Sequence, residues 1–250
     1  MSDDVIFRRF HHITIAVRDL EKAVDDWELV VGWPPDRSAP PSVRFLLNDA
    51  YVELIQADPG QVAPKVISVS VVVDDPDAAA DKAEQAGVVV RRNVDGLEPV
   101  NECLLSGVRI ELCREDGPPV APEGALFRRI SHLVVAVADD EAAKELWAGA
   151  FGSWAPEISN GRELAHHIPV GRSWFGLTAA GTNADAVGRF VESRGEGIYA
   201  VGLVVDDLET TKAALAARGA RMIDTGSGQV FLHPSTTHGL LVDLVAAKGH

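Results

Sequence analysis

The chain has 250 residues, 46% hydrophobic and 24% charged, with a net charge of −14. That balance is ordinary for a soluble globular protein. The acidity argues against nucleic acid, whose phosphates demand a basic face, and through long-range attraction would favour a cationic ligand. No apolar run reaches the ~18 residues of a membrane span, and MSDDVIFRR lacks the basic start and apolar core of a signal peptide. Cys103 and Cys113 have no C-x-x-C spacing. They are expected to face each other across a hairpin or lie close to it, as thiols in a reducing compartment. The expectation is a cytoplasmic protein with no nucleic-acid or membrane partner.

In chain order, FRRFHHITIAV (7–17) reads as a strand. Leu20, Ala23, Val24, Trp27, Val30 and Val31 follow at three- and four-residue steps, which predicts an amphipathic helix closed by Gly32. SVRFLL and YVELIQ, separated by Asn48-Asp49-Ala50, predict a hairpin. ISVSVVV (67–73) is a second strand, and DDPDAAADKAEQAG (74–87) a helix with acidic residues at its start and Gly87 at its end. VVVRR and the hairpin ECLLSGVRIELC (102–113) complete the half, and REDGPPVAPEG (114–124) is a linker.

The pattern then repeats. FRRISHLVVAV (127–137) matches 7–17 at six of eleven positions, at an offset of 120. A helix over 139–152 and a hairpin over 163–178 follow. GEGIYAVGLVV (195–205), a helix over 206–219, a strand near Met222 and the pair QVFLH and LLVDLVAA close the chain. VVVDDPDAAADKAEQAG and LVVDDLETTKAALAARG superpose 132 residues apart. Such self-similarity marks repeated structural units; here it gives four βαβββ modules, two per half.

Matched positions carry the polar residues. His12, Ser68, His132 and Ala200 stand near the start of the four opening strands. YVELI, RIELC, WFGLT and LVDLV end the modules, with Glu53, Glu111, Gly176 and Asp243 as their third letters. A charge between apolar neighbours on a strand points to the opposite face from them. If those neighbours pack under the helices, the carboxylates, and histidines of the same parity, share the other face. Buried carboxylates need a partner, and Arg8, Arg9 or Arg109 could supply one without a metal.

Four βαβββ modules with this His and Glu placement resemble the vicinal oxygen chelate superfamily of glyoxalases, epimerases, extradiol dioxygenases and bleomycin-type resistance proteins. HITIAVRDLEKAV (12–24), RGEGIYAVGLVVDDLETTKAAL (194–215) and FLHPSTTHGLLVDLV (231–245) are most similar to its methylmalonyl-CoA epimerase-like members. The resemblance implies an α+β fold of two glyoxalase-like domains, 1–118 and 125–250, each with a cupped mixed sheet. It implies a divalent metal ion (zinc, manganese, cobalt, nickel or iron). In the first half its ligands would be His12, Glu53 and Glu111, with Ser68 where a second histidine is expected. The second half offers His132 and Asp243, with Gly176 and Ala200 at the remaining places. If module one pairs with module four instead, the sets become His12, Glu53 and Asp243, and Glu111 with His132.

Three activities are carried by that resemblance. One is a metal-dependent isomerase or lyase of the glyoxalase or methylmalonyl-CoA epimerase type. There the metal would chelate two substrate oxygens and Glu53 or Glu111 would move the proton. Another is a non-enzymatic binder of an antibiotic or similar small molecule. The third, an extradiol dioxygenase, is disfavoured because Ser68 and Ala200 replace the second histidine that non-haem iron needs. His166, His167, Trp174 and His238 are the candidate substrate contacts. The implied partner is a small molecule, and the implied assembly a monomeric pseudo-dimer or a homodimer.

Overall fold

The computed structural model describes residues 5–61, 65–93, 101–152, 155–159, 162–179, 186–226 and 228–247, with backbone alone at 155–159 and 162–166. The first module is β1 (Phe7–Val17), α1 (Leu20–Val31), β2 (Val43–Leu46) and β3 (Tyr51–Gln56). The second is β4 (Lys65–Val73), α2 (Pro76–Gln85), β5 (Val89–Arg92), β6 (Asn101–Leu105) and β7 (Val108–Cys113). The third is β8 (Phe127–Val137), α3 (Asp140–Phe151), β9 (Ala155–Ser159), β10 (Arg162–Val170) and β11 (Ser173–Ala179). After α4 (Ala186–Arg194) comes the fourth: β12 (Gly197–Val205), α5 (Leu208–Ala217), β13 (Met222–Asp224), β14 (Val230–Leu232) and β15 (Leu241–Ala246).

Each module opens in the same way. A long apolar strand runs into an aspartate that caps the helix: Asp19, Asp75, Asp139 and Asp207 are all extended, and each side chain accepts a backbone N–H of the first turn. Such a cap satisfies one of the helix's orphan donors, and losing it costs about 1 kcal/mol. The repeated FRR has a structural meaning here. Arg8 donates to both oxygens of Asp74, at 2.5 and 2.7 Å, and Arg128 does the same to Asp206. Both acids immediately precede a cap, so each arginine ties the start of one strand to the start of a helix. At the other end of α1, Gly32 has φ +90°, and a Cβ there would meet the Arg218 guanidinium. That guanidinium donates to Val30 O at 3.3 Å, placing a cation at the negative end of the helix.

The strands form two mixed sheets, β2-β3-β1-β4-β7-β6-β5 and β13-β14-β15-β12-β8-β11-β10-β9. β1 lies beside β4, and β8 beside β12, so in the sheets the modules pair consecutively. Packing divides the chain differently, into one compact unit of Met1–His11, Ser68–Gly117 and His132–Tyr199 and another of His12–Ile67, Pro118–Ser131 and Ala200–His250. Alternation decides what each sheet face carries. In the first module Ile13, Ile15, Phe45, Val52 and Leu54 are fully buried, and Phe45 meets Trp27 of α1 at 6.4 Å. Burying each such side chain contributes about 1.5–3 kcal/mol. In the third, Phe175 of β11 packs against Trp147 of α3 at 5.2 Å.

Some sequence expectations need correction. Cys103 opposes Ile110 and Leu112 opposes Asn101 in the β6–β7 hairpin, so Cys113 sits about 10 Å along the strand from Cys103's partner. The two thiols are not joined in a disulfide. Helix α4 and strand β9 carry no signal strong enough to be read from the sequence. Among the described residues the first module has two strands after its helix, with an isolated Asp36–Arg44 bridge beside them.

Candidate functional site

The parallel β1–β3 register sets His12 beside Tyr51 and Thr14 beside Glu53, and the β2–β3 register sets Arg44 beside Glu53. Because Ile13, Val52 and Phe45 face α1, these five residues lie on the opposite sheet face. Glu53 is the centre of the group, its side chain 13% exposed. One carboxylate oxygen accepts from Ser42 Oγ at 2.8 Å and Arg44 Nε at 3.0 Å; the other accepts from Thr14 Oγ1 at 3.1 Å. The His12 Nε2 stands 4.0 Å away. The His12 ring lies flat on Tyr51, centroids 4.5 Å apart, and the Arg44 guanidinium also lies over Tyr51, 4.9 Å from its ring centroid. Burial pushes the Glu53 carboxyl up, but the bonds from Ser42 and Arg44 and the neighbouring charges outweigh it and hold the pKa below its usual value.

The second module repeats the plan with different side chains. Ser68 is beside Arg109, and Ser70 beside Glu111. Ser70 Oγ donates to Glu111, as Thr14 does to Glu53. Glu102 faces Glu111 across the β6–β7 pair, and Arg109 Nε is 3.9 Å from Glu102. Burial raises the Glu111 pKa, with the Glu102 charge adding to it and the Ser70 and Ser68 hydroxyls and Arg109 opposing.

In the third module the matched face is aromatic. Trp174 is the strand neighbour of His132, and the rings stack at 4.4 Å with an 11° tilt. His167 of β10 pairs with Gly176 and sets its ring against Trp174 at 5.8 Å. Gly176 has a packing reason: a Cβ there would stand 2.6 Å from Trp174 Cζ3. Burial alone lowers the His132 pKa to about 4, so its imidazole is neutral. In the fourth module Asp243 pairs with Gly202 and Phe231, and burial raises its pKa to about 6.

His12 and Glu53 are thus brought together, as expected. The remaining candidate ligands are not gathered around them. Among the described residues no three His, Cys, Asp or Glu side chains are placed to hold a metal ion. That applies to His12 with Glu53 and Glu111, and equally to His12 with Glu53 and Asp243. Glu53's oxygens are already taken by two hydroxyls and a guanidinium, and the cation beside it is Arg44. The described residues therefore do not fit the divalent metal that the resemblance implies. His238 is held elsewhere, in a turn at φ +54°, with Nε2 3.8 Å from Asp26 of α1. His166 is on β10, and its side chain lies outside the described residues. Arg8 and Arg9, offered as carboxylate partners, bind Asp74 and Glu115 instead. Thr14, Ser42, Arg44 and Tyr51 are the group's members that sequence reading missed. Thr14, two residues past His12 and so on its face, was the available signal.

The family model of the Glyoxalase/Bleomycin resistance protein/Dioxygenase superfamily matches residues 9–95 and 129–243. Mitochondrial methylmalonyl-CoA epimerase of Bos taurus is 26% identical over 173 residues, spanning 64% of this chain and 97% of the relative. A variant of 4-hydroxymandelate synthase from Streptomyces coelicolor superposes with a TM-score of 0.73 at 15% identity, covering 98% of this chain and 95% of that one. A xylose isomerase-like TIM barrel/4-hydroxyphenylpyruvate dioxygenase fusion protein superposes at TM-score 0.68 and 14% identity, over 99% of this chain and half of that one. These two structures show the fold: an α+β chain of two glyoxalase-like domains. Among the described residues no helix is long and apolar enough to cross a membrane.

Proposed function

From a chain that belongs to the Glyoxalase/Bleomycin resistance protein/Dioxygenase superfamily, we propose a small-molecule-binding protein whose ligand-facing sheet works without a divalent metal. The observation that carries this is the occupancy of Glu53. At the position where the resemblance expects a metal ligand, both oxygens accept protein hydrogen bonds from Ser42, Arg44 and Thr14. An arginine so placed presents its remaining N–H groups and its planar, always-charged head toward a ligand. The stacked His12–Tyr51 pair adds a flat wall beside it.

Similarity to the epimerase supports a second, finer reading, an isomerase acting on an acidic C–H beside a carbonyl. Glu111 favours it. Its carboxyl is buried and raised in pKa, beside Arg109 and opposite Glu102. A carboxylate so raised is a better proton acceptor than Glu53, and Arg109 would face the negative charge left on the carbonyl oxygen. No step in this reading needs a metal.

Thermal-shift measurements with acyl-CoA thioesters, glutathione hemithioacetals and cationic antibiotics, each with and without EDTA, test the proposal. Any stabilising ligand is expected to act equally in both conditions. A ligand whose effect disappears in EDTA and returns with zinc or manganese would overturn it. Proton–deuterium exchange into a stabilising thioester, lost in Glu111→Gln, would favour the second reading.

A further inference from the structure

The third module keeps the architecture of the first and changes its chemistry. Tyr51 beside His12 becomes Trp174 beside His132, with the same flat stack. Glu53 becomes Gly176, and the Trp174 ring extends over that glycine, in space a Cβ would occupy. The carboxylate has been exchanged for an indole surface. His167 closes one side, its ring tilted 54° to the indole. Its Nδ1 is buried and, among the described residues, has no hydrogen-bond partner. Buried polar atoms are nearly always satisfied, so an orphan needs a reason. Trp174 is half-buried, whereas His132 beneath it is 8% exposed. The face thus combines a broad π surface, one directional polar atom, and no charge at the position where the other domain holds Glu53.

We propose that Trp174 and His167 form a binding site for a planar, uncharged nitrogen heteroaromatic ring. Trp174 is the stacking platform, His132 backs it, and His167 Nδ1 pairs with a ring nitrogen. Offset stacking on an indole is tolerant of ring identity and selective for planarity. The hydrogen bond then distinguishes a nitrogen heterocycle from a hydrocarbon of the same outline. This names a ligand class for the small-molecule reading without resting on Glu53. Metal found at Glu53 would overturn that reading and leave this site standing.

Benzimidazole is the probe, since it is neutral at pH 7.5 and carries both a donor and an acceptor nitrogen. Indane keeps the aromatic outline without nitrogen, and octahydrobenzimidazole keeps the nitrogens without planarity. Calorimetry on the full chain, with amide and indole NMR to locate the site, should show saturable benzimidazole binding that shifts the Trp174 indole signal. Trp174→Leu should weaken it about tenfold, the usual scale of losing a stacking partner. His167→Phe should weaken benzimidazole and leave indane unchanged, a difference that a mere loss of folding would not produce. Absence of saturable binding, equal binding of octahydrobenzimidazole, or a Trp174→Leu variant that is folded by NMR and binds as well as wild type would each overturn the proposal.

Discussion

Replacing Arg44 by methionine tests the electrostatics of the first-module group. The substitution keeps much of the aliphatic stem and removes the guanidinium, leaving Glu53 with Ser42 and Thr14 alone. A hydrogen bond to a charged group contributes about 1.5–3 kcal/mol. Arg44's side chain is 32% exposed and Glu53's 13%, so solvent screening favours the lower part of that range, about 1–1.5 kcal/mol. For a chain of this size that is roughly 2–5 °C in Tm. The sign with pH follows from Glu53, whose folded pKa is depressed. Its contribution is present above the unfolded pKa and is lost as pH falls through the lower, folded value. Arg44→Met should therefore separate from wild type at pH 7 and converge with it in acid, with Glu53→Gln in the same background adding little. Thermal or urea unfolding of the four proteins from pH 3 to pH 8 checks this. Equal stability of Arg44→Met and wild type at pH 7, or a gap that persists unchanged at pH 3, would refute the reasoning.

Other outcomes follow from the remaining matched positions. Asp243 keeps its proton to about pH 6 when folded, against a usual 3.8. The native state then binds more protons than the unfolded chain over that window, so stability falls by about 3 kcal/mol as pH rises through it. Asp243→Asn should abolish that decline in unfolding experiments, and an unchanged pH profile would count against the burial argument. The imidazole of His132 should remain neutral at pH 5 by NMR, titrating near pH 4; a midpoint near 6.5 would contradict its burial. Gly176→Ala should push the indole off the glycine and disturb the His132–Trp174 stack. The near-ultraviolet circular dichroism should change, while an unaltered spectrum and stability would show that the indole has room.

Much of the fold is legible in the sequence because it is written twice. FRR…H…AV at 7–17 and 127–137 marks the long opening strands, and Asp19, Asp75, Asp139 and Asp207 mark the helix starts. Side-chain alternation likewise places His12 and Glu53 on one face. Arg44 was not legible, because its meeting with Glu53 depends on the register of the β2–β3 hairpin, which the intervening Asn48-Asp49-Ala50 turn sets only in three dimensions. Arg8 and Arg9, nearer His12 in sequence, looked like better partners. Their actual partners, Asp74 and Glu115, are 66 and 106 residues away. The role of Trp174 was half legible. Its place on the last strand was visible, but its dependence on Gly176 appears only when the ring is seen over the glycine.

The most direct test of a metal-free site is the metal content of the purified chain after incubation with zinc, manganese, cobalt, nickel or iron(II) and removal of the unbound ion. With Glu53 bonded by Ser42, Arg44 and Thr14, we predict no stoichiometric metal in wild type. One tightly held ion per chain, lost in both His12→Ala and Glu53→Gln, would contradict it.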